Sequence, residues 1–440
     1  MGRGADAMGR MHAYVLAVVL LLGIGPQAWA HDAVMLSPFP ADEVSIVAPN
    51  SRSAEMMSKA GVNSNEVLLA AYASLAAYQS EWSGLPVSTL QKTGWQVTPG
   101  DTGHERFIIA SQEIKGHPYY VVAISGTEQK VDLKANLRND MIPIPQYPEI
   151  FVHQGYWEAA QRLSAAPQIK EAVARTNDGG RVIFTGHSLG GGVATLIGLQ
   201  QVSEGSGNIA QMRVITFAAP DFVNSFGSRA IGQYPAVNFR MEADLIPSLF
   251  RLVNYRYHSN PNSITWSLHT PSQGIPHTMI GFLDEAFYQA AWTFSANLPT
   301  SGPVDIYVAA PALATDMGLA PRIIQAYRNT AIYAAALPET QRIARDYREM
   351  ELSDALATAR ARGAKYLLWL PLAIYPERES TNRNYGMALT EQWWDVDKEE
   401  LLTWESVAFR SGGYTIFTKL ADYLVGKEQI PVESDFLLQN

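Results

Sequence analysis

Apolar and polar positions along this chain alternate between two periods. Over 65–78, Val67, Leu68, Ala71, Leu75 and Tyr78 recur at helical spacing, and Ser64 stands where a cap belongs. Short β-prone runs follow at 95–97, 106–112 and 119–124, the last two separated by the turn-forming Lys115-Gly116-His117-Pro118. Helical spacing returns over 155–174. A β-prone run, Arg181-Val182-Ile183-Phe184-Thr185, then gives way to the small and aliphatic stretch 191–199, and 214–218 and 236–240 are further short β-prone runs. Strands alternating with helical stretches predict an α/β fold with a central sheet, mostly parallel after an initial hairpin.

The cluster Leu298-Pro299-Thr300-Ser301-Gly302-Pro303 breaks this pattern between an aromatic-rich helix over 287–294 and a new strand over 305–309. Beyond it the chain predicts a helix capped by Ser353 that runs to Arg362. Gly363 is its C-cap and Ala355, Leu356 and Ala359 form its apolar stripe. A strand over 366–370 and a hairpin of 388–395 with 401–409 complete a smaller α/β domain. The expected organisation is a main α/β domain over 54–298 and a small α/β domain over 303–430, with a weakly patterned arm over 31–53 in front.

The length of 440 residues suits two or three domains, and 47% hydrophobic with 17% charged residues suits a folded, well-buried chain. A net charge of -9 argues against nucleic acid as a partner. Arg3 and Arg10, the apolar run 14–25 and Ala28-Trp29-Ala30 make residues 1–30 an expected signal peptide, with export to the periplasm or beyond. The chain has no cysteine, so it has no disulfide framework, thiolate metal site or acylated lipoprotein cysteine.

Gly186-His187-Ser188-Leu189-Gly190 joins a predicted strand to a predicted helix, the context that makes G-x-S-x-G a nucleophile elbow. A sharp strand-to-helix turn strains the serine backbone and leaves no room for Cβ atoms two residues before and after it. The new helix also aims its free N–H groups at any oxyanion formed on Ser188. Serine needs a histidine to take its proton and a carboxylate to orient that histidine. Asp244 follows a strand run and precedes a proline; Asp221 and Glu242 compete with it. Of the downstream histidines His258, His269 and His277, the last precedes a predicted helix, Thr278 to Phe287.

Several segments, in order, resemble the class 3 lipases over roughly residues 60–290. They are Val121-Val122-Ala123-Ile124-Ser125-Gly126-Thr127; Val152-His153-Gln154-Gly155-Tyr156; the Gly-His-Ser-Leu-Gly-Gly elbow; Thr216-Phe217-Ala218-Ala219-Pro220; 238–247; and His277-Thr278-Met279. The resemblance implies an α/β-hydrolase fold, with Ser188 as nucleophile, Asp244 as orienting acid and His277 as base. It further implies an oxyanion hole from Thr127 and the backbone N–H of Leu189, and no metal or cofactor. Ser125 stands where the family carries arginine, and 128–148 stands where it carries a lid. The implied activity is hydrolysis of carboxylic esters of lipids, triacylglycerol lipase or esterase in type. Phospholipase A1, or a non-catalytic envelope binding protein on the same fold, is the alternative. The expected partner is a lipid or small ester, with transient contact at a lipid interface.

The C-terminal part, from Leu352 through the Trp394-Asp395-Val396-Asp397 segment, more weakly resembles uncharacterised bacterial envelope domains common on lipoproteins. No constellation in it carries recognisable chemistry, and binding an envelope partner is its default expectation.

Overall fold

A computed structural model describes residues 51–79, 84–114, 116–126, 140–242, 244–248, 251, 256–266, 277–286, 303–315, 321–335, 342–376 and 385–410. The expected signal peptide, most of the arm and His269 lie outside these residues. The described chain forms two compact units divided at Phe282/Leu283. That point precedes the breaker cluster at 298–303, of which only Pro303 is described.

In the first unit, helices α1 (Ser51–Lys59), α2 (Ser64–Ala76) and α3 (Gly84–Lys92) precede strands β1 (Gln96–Asp101), β2 (Arg106–Ile114) and β3 (His117–Ile124). A separate two-stranded hairpin follows, β4 (Met141–Ile144) and β5 (Tyr147–His153), then α4 (Gln154–Ala165) and α5 (Pro167–Arg175). β6 (Arg181–His187), α6 (Leu189–Glu204), β7 (Met212–Phe217), α7 (Ser225–Gly232), β8 (Ala236–Met241) and β9 (Ser263–Trp266) come next. Residues 279–286 form helix α8. The sheet order is β1-β2-β3-β6-β7-β8-β9, antiparallel as far as β3 and parallel thereafter.

Local chemistry explains where the elements begin and break. α2 starts one residue before Ser64 could cap it. Asn63 is the cap, accepting from the Glu66 N–H at 3.0 Å, while Glu66 accepts in return from the Asn63 N–H. The same Glu66 pairs with Arg181 at 2.8 Å and accepts from the Tyr119 hydroxyl, so the start of α2 is tied to β6 and β3. The expected helix over 155–174 divides at Ala166, which is extended ahead of Pro167 as proline requires. Val182, Ile183 and Phe184 are fully buried, as suits a central parallel strand covered on both faces.

The second unit opens with β10 (Ile306–Ala310), β11 (Ala314–Thr315) and α9 (Pro321–Ala334). β12 (Ile343–Glu349), α10 (Leu352–Ala361) and β13 (Tyr366–Trp369) follow. β14 (Leu372–Pro376), β15 (Tyr385–Asp395) and β16 (Glu400–Arg410) complete it. β10 lies between β12 and β13 and is parallel to both; β15 joins β13 antiparallel and carries β14 and β16. The N-cap of α10 is Glu351 and not Ser353, and Gly363 follows its C-terminus at φ 70°. β12 hides charge among its apolar positions: Asp346 accepts from Arg348 and, by a short bond, from the Tyr307 hydroxyl. Arg328 of α9 is buried and donates to the carbonyls of Ala310, Pro311 and Tyr347.

Candidate active site

Ser188 stands between β6 and α6 at φ 55° and ψ −126°, a conformation that costs a non-glycine residue of order 1–3 kcal/mol. Its N–H is pinned to the carbonyl of Phe217 on β7 at 2.9 Å. The two flanking glycines make the turn possible. A Cβ on Gly186 would lie 2.5 Å from the Gly190 carbonyl carbon, and one on Gly190 would collide with the carbonyls of Ile124 and Ser125. The end of β3 therefore runs directly against the elbow and delivers the turn beginning at Ser125 beside Ser188. Leu189 is the first residue of α6, where a helical N–H has no intrahelical acceptor. Thr127, the other expected oxyanion donor, lies outside the described residues.

Asp244 follows β8. Its N–H donates to Met241 O at 3.0 Å, and its Oδ1 accepts from the Ile246 N–H at 3.0 Å. These bonds close a tight turn that leaves Oδ2 free to face His277, whose Nδ1 is 2.8 Å away. The other ring nitrogen, Nε2, is 2.9 Å from Ser188 Oγ. With an ionised carboxylate as acceptor, the consistent assignment is Nδ1–H donating to Asp244 and Ser188 O–H donating to Nε2. The Asp244 side chain is 1% exposed and that of His277 12%, so the chain of bonds is shielded while its serine end remains reachable.

The competing residues lie elsewhere. Asp221 is buried and paired to Arg240 at 2.6 Å, and its N–H donates to Pro247 O at 2.8 Å, holding the loop that carries Asp244. The Glu242 side chain is exposed. His258 is exposed and forms an isolated bridge with Val223. His153 is fully buried between Tyr156 and Tyr257 and acts as packing. Asn238 serves the backbone of the neighbouring strand. Its Oδ1 accepts from the Thr216 hydroxyl and the Ala219 N–H, both at 3.1 Å. That bracket holds Ala218 at φ 51°. The expected lid segment is described only from residue 140 onward, where β4 and β5 form a hairpin.

Two residues beside the site carry no assignment from the sequence. The Tyr78 hydroxyl is 2.5 Å from His187 Nδ1, and the His187 ring lies 4.8 Å from that of His277. Burial, and then the charge His277 can carry, push the His187 pKa well below its ordinary value. Both are polar residues at apolar-patterned positions. That is the one signal sequence offers for them.

A mostly parallel sheet with a serine on a strained strand-to-helix turn, bonded to a histidine and an acid in the order Ser, Asp, His, defines an α/β-hydrolase. Residues 121–254 match the family model for lipase (class 3). The chain is 28% identical to the chloroplastic phospholipase A1 PLIP2 of Arabidopsis thaliana, over 37% of this chain and 22% of that protein. It is 30% identical to the chloroplastic phospholipase A1 PLIP1 of the same plant, over 31% and 22% respectively. The chain thus spans about a fifth of the length of these curated relatives. Among solved structures it is similar to the Rhizomucor miehei triacylglyceride lipase, at 16% identity and a TM-score of 0.38. That match covers 46% of this chain and 79% of that one.

Proposed function

We propose that the first unit hydrolyses carboxylic esters of lipids through an acyl-enzyme on Ser188. The observation that carries this reading is the continuous bond path from Ser188 Oγ through His277 to Asp244, set at a strained elbow inside the class 3 lipase span. As Oγ attacks the ester carbonyl, His277 Nε2 takes its proton and Asp244 stabilises the resulting imidazolium. The tetrahedral oxyanion is held by the Leu189 N–H at the start of α6, and by Thr127. Each such donor is worth about 3 kcal/mol. Collapse breaks the ester C–O bond, and Nε2 delivers the proton to the leaving alcohol. Water then attacks the acyl-enzyme by the same path reversed, releasing the acid.

The similarity to two phospholipases A1 favours a second substrate assignment, cleavage of a glycerophospholipid ester, by the same residues. We also propose export, which rests on the residue pattern over 1–30. Turnover of p-nitrophenyl esters from acetate to palmitate, compared between wild type and Ser188→Ala, tests the chemistry and divides esterase from lipase. Phosphatidylcholine against triacylglycerol vesicles divides phospholipase from triacylglycerol lipase. Properly folded wild type without turnover on any of these would overturn the assignment.

A further inference from the structure

α2 is fastened to β6 where the hydroxyls of Ser74 and Thr185 meet at 2.9 Å. About one helical turn later the chain reaches Tyr78, and two residues further along the same face of β6 stands His187. The Tyr78 hydroxyl and His187 Nδ1 lie 2.5 Å apart across a separation of 109 residues. Tyr78 has a second close contact. A Cβ on Gly126 would strike its hydroxyl and would lie 3.0 Å from His187 O. The phenol is therefore lodged between the turn that leaves β3 and the ring behind Ser188.

His187 is almost fully buried and stays neutral, so its imidazole carries one proton. Nε2 has no hydrogen-bond partner among the described residues, whereas Nδ1 faces the Tyr78 hydroxyl, and a phenol O–H donates to an imidazole nitrogen more readily than it accepts. The proton accordingly belongs on Nε2, and Nδ1 accepts from Tyr78. On its other side the His187 ring meets the His277 ring at 4.8 Å and 47°, and Phe282 packs 5.9 Å away.

We propose that Tyr78 and His187 are a positioning pair for the base. The Tyr78 hydroxyl fixes the His187 ring as its Nε2–H tautomer, and that ring holds His277 in register between Ser188 and Asp244. This inference rests on the ester-hydrolase reading of the same site.

Tyr78→Phe removes one oxygen and keeps the aromatic ring. Its kcat on p-nitrophenyl butyrate should fall about tenfold with KM within about twofold, because base alignment and not ester binding is disturbed. In ¹⁵N-imidazole spectra, wild-type His187 should be a single neutral Nε2–H tautomer and Tyr78→Phe a mixture. Wild-type kcat in folded Tyr78→Phe, or an Nδ1–H tautomer for wild-type His187, overturns the pair. The wild-type spectrum decides the matter even if the variant fails to fold. Ser188→Ala, run in parallel, separates the two readings. If it loses turnover while Tyr78→Phe keeps wild-type kcat, the positioning pair falls and the hydrolase stands; if it retains turnover, both fall.

Discussion

Asp244 Oδ2 accepts from His277 Nδ1 at 2.8 Å, while the other carboxylate oxygen is occupied by the Ile246 N–H. The acid is thus oriented by its own loop before it orients the histidine. Asp244→Asn preserves the shape but offers an amide N–H to Nδ1, favouring the wrong imidazole tautomer. Its kcat should fall by about 10⁴ with the fold intact. Steady-state kinetics with a circular dichroism control checks this, and a loss below about tenfold would mean that another carboxylate serves His277.

The buried Asp221–Arg240 pair anchors that loop through the Asp221 N–H to Pro247 bond. Arg240→Leu leaves Asp221 in the interior with only Arg251, 4.0 Å away, as a cation among the described residues. The expected cost is about 3 kcal/mol of stability. Urea unfolding measures it. A midpoint equal to wild type would show that the pair contributes little.

His187 supplies a pH signature of stability. Its folded pKa lies below the unfolded value, so the unfolded chain binds the extra proton first as pH falls. Stability is therefore full above roughly 6.5, the unfolded pKa, and declines as pH drops below it. The Tm difference between pH 7.5 and pH 5 should be smaller in His187→Gln than in wild type. An equal or larger difference contradicts a buried neutral His187.

Gly190→Ala places a methyl group against two carbonyls at the end of β3. Main chain cannot yield there cheaply, so the expected destabilisation is about 2–4 kcal/mol, with loss of turnover. Thermal melting and p-nitrophenyl butyrate hydrolysis check both halves.

Much of the first unit was legible because its strands are short, apolar and bounded by breakers. Ser188 could be named because it sits at a junction between a strand run and a helix; Asp244 and His277 were singled out from their competitors by the resemblance of 238–247 and 277–279. Asp221 and Asp244 could not be separated by pattern, since both follow strands. Only the fold shows that Arg240 neutralises one and His277 faces the other. Tyr78 read as one more apolar position of α2, because its polar contact depends on how that helix docks on β6. β12 was hidden because Arg345, Asp346 and Arg348 interrupt its alternation; the buried Asp346 is held by the Tyr307 hydroxyl and the half-buried Arg345 by the Ile332 carbonyl, both distant in sequence.

The central claim is that Ser188 is a nucleophile activated by His277. Fluorophosphonate labelling followed by intact mass and peptide mapping tests it most directly. Wild type should gain one adduct, mapped to Ser188, with labelling abolished in Ser188→Ala and slowed by at least about 10³-fold in His277→Ala. An adduct on another residue, or undiminished labelling in either variant, would contradict the account.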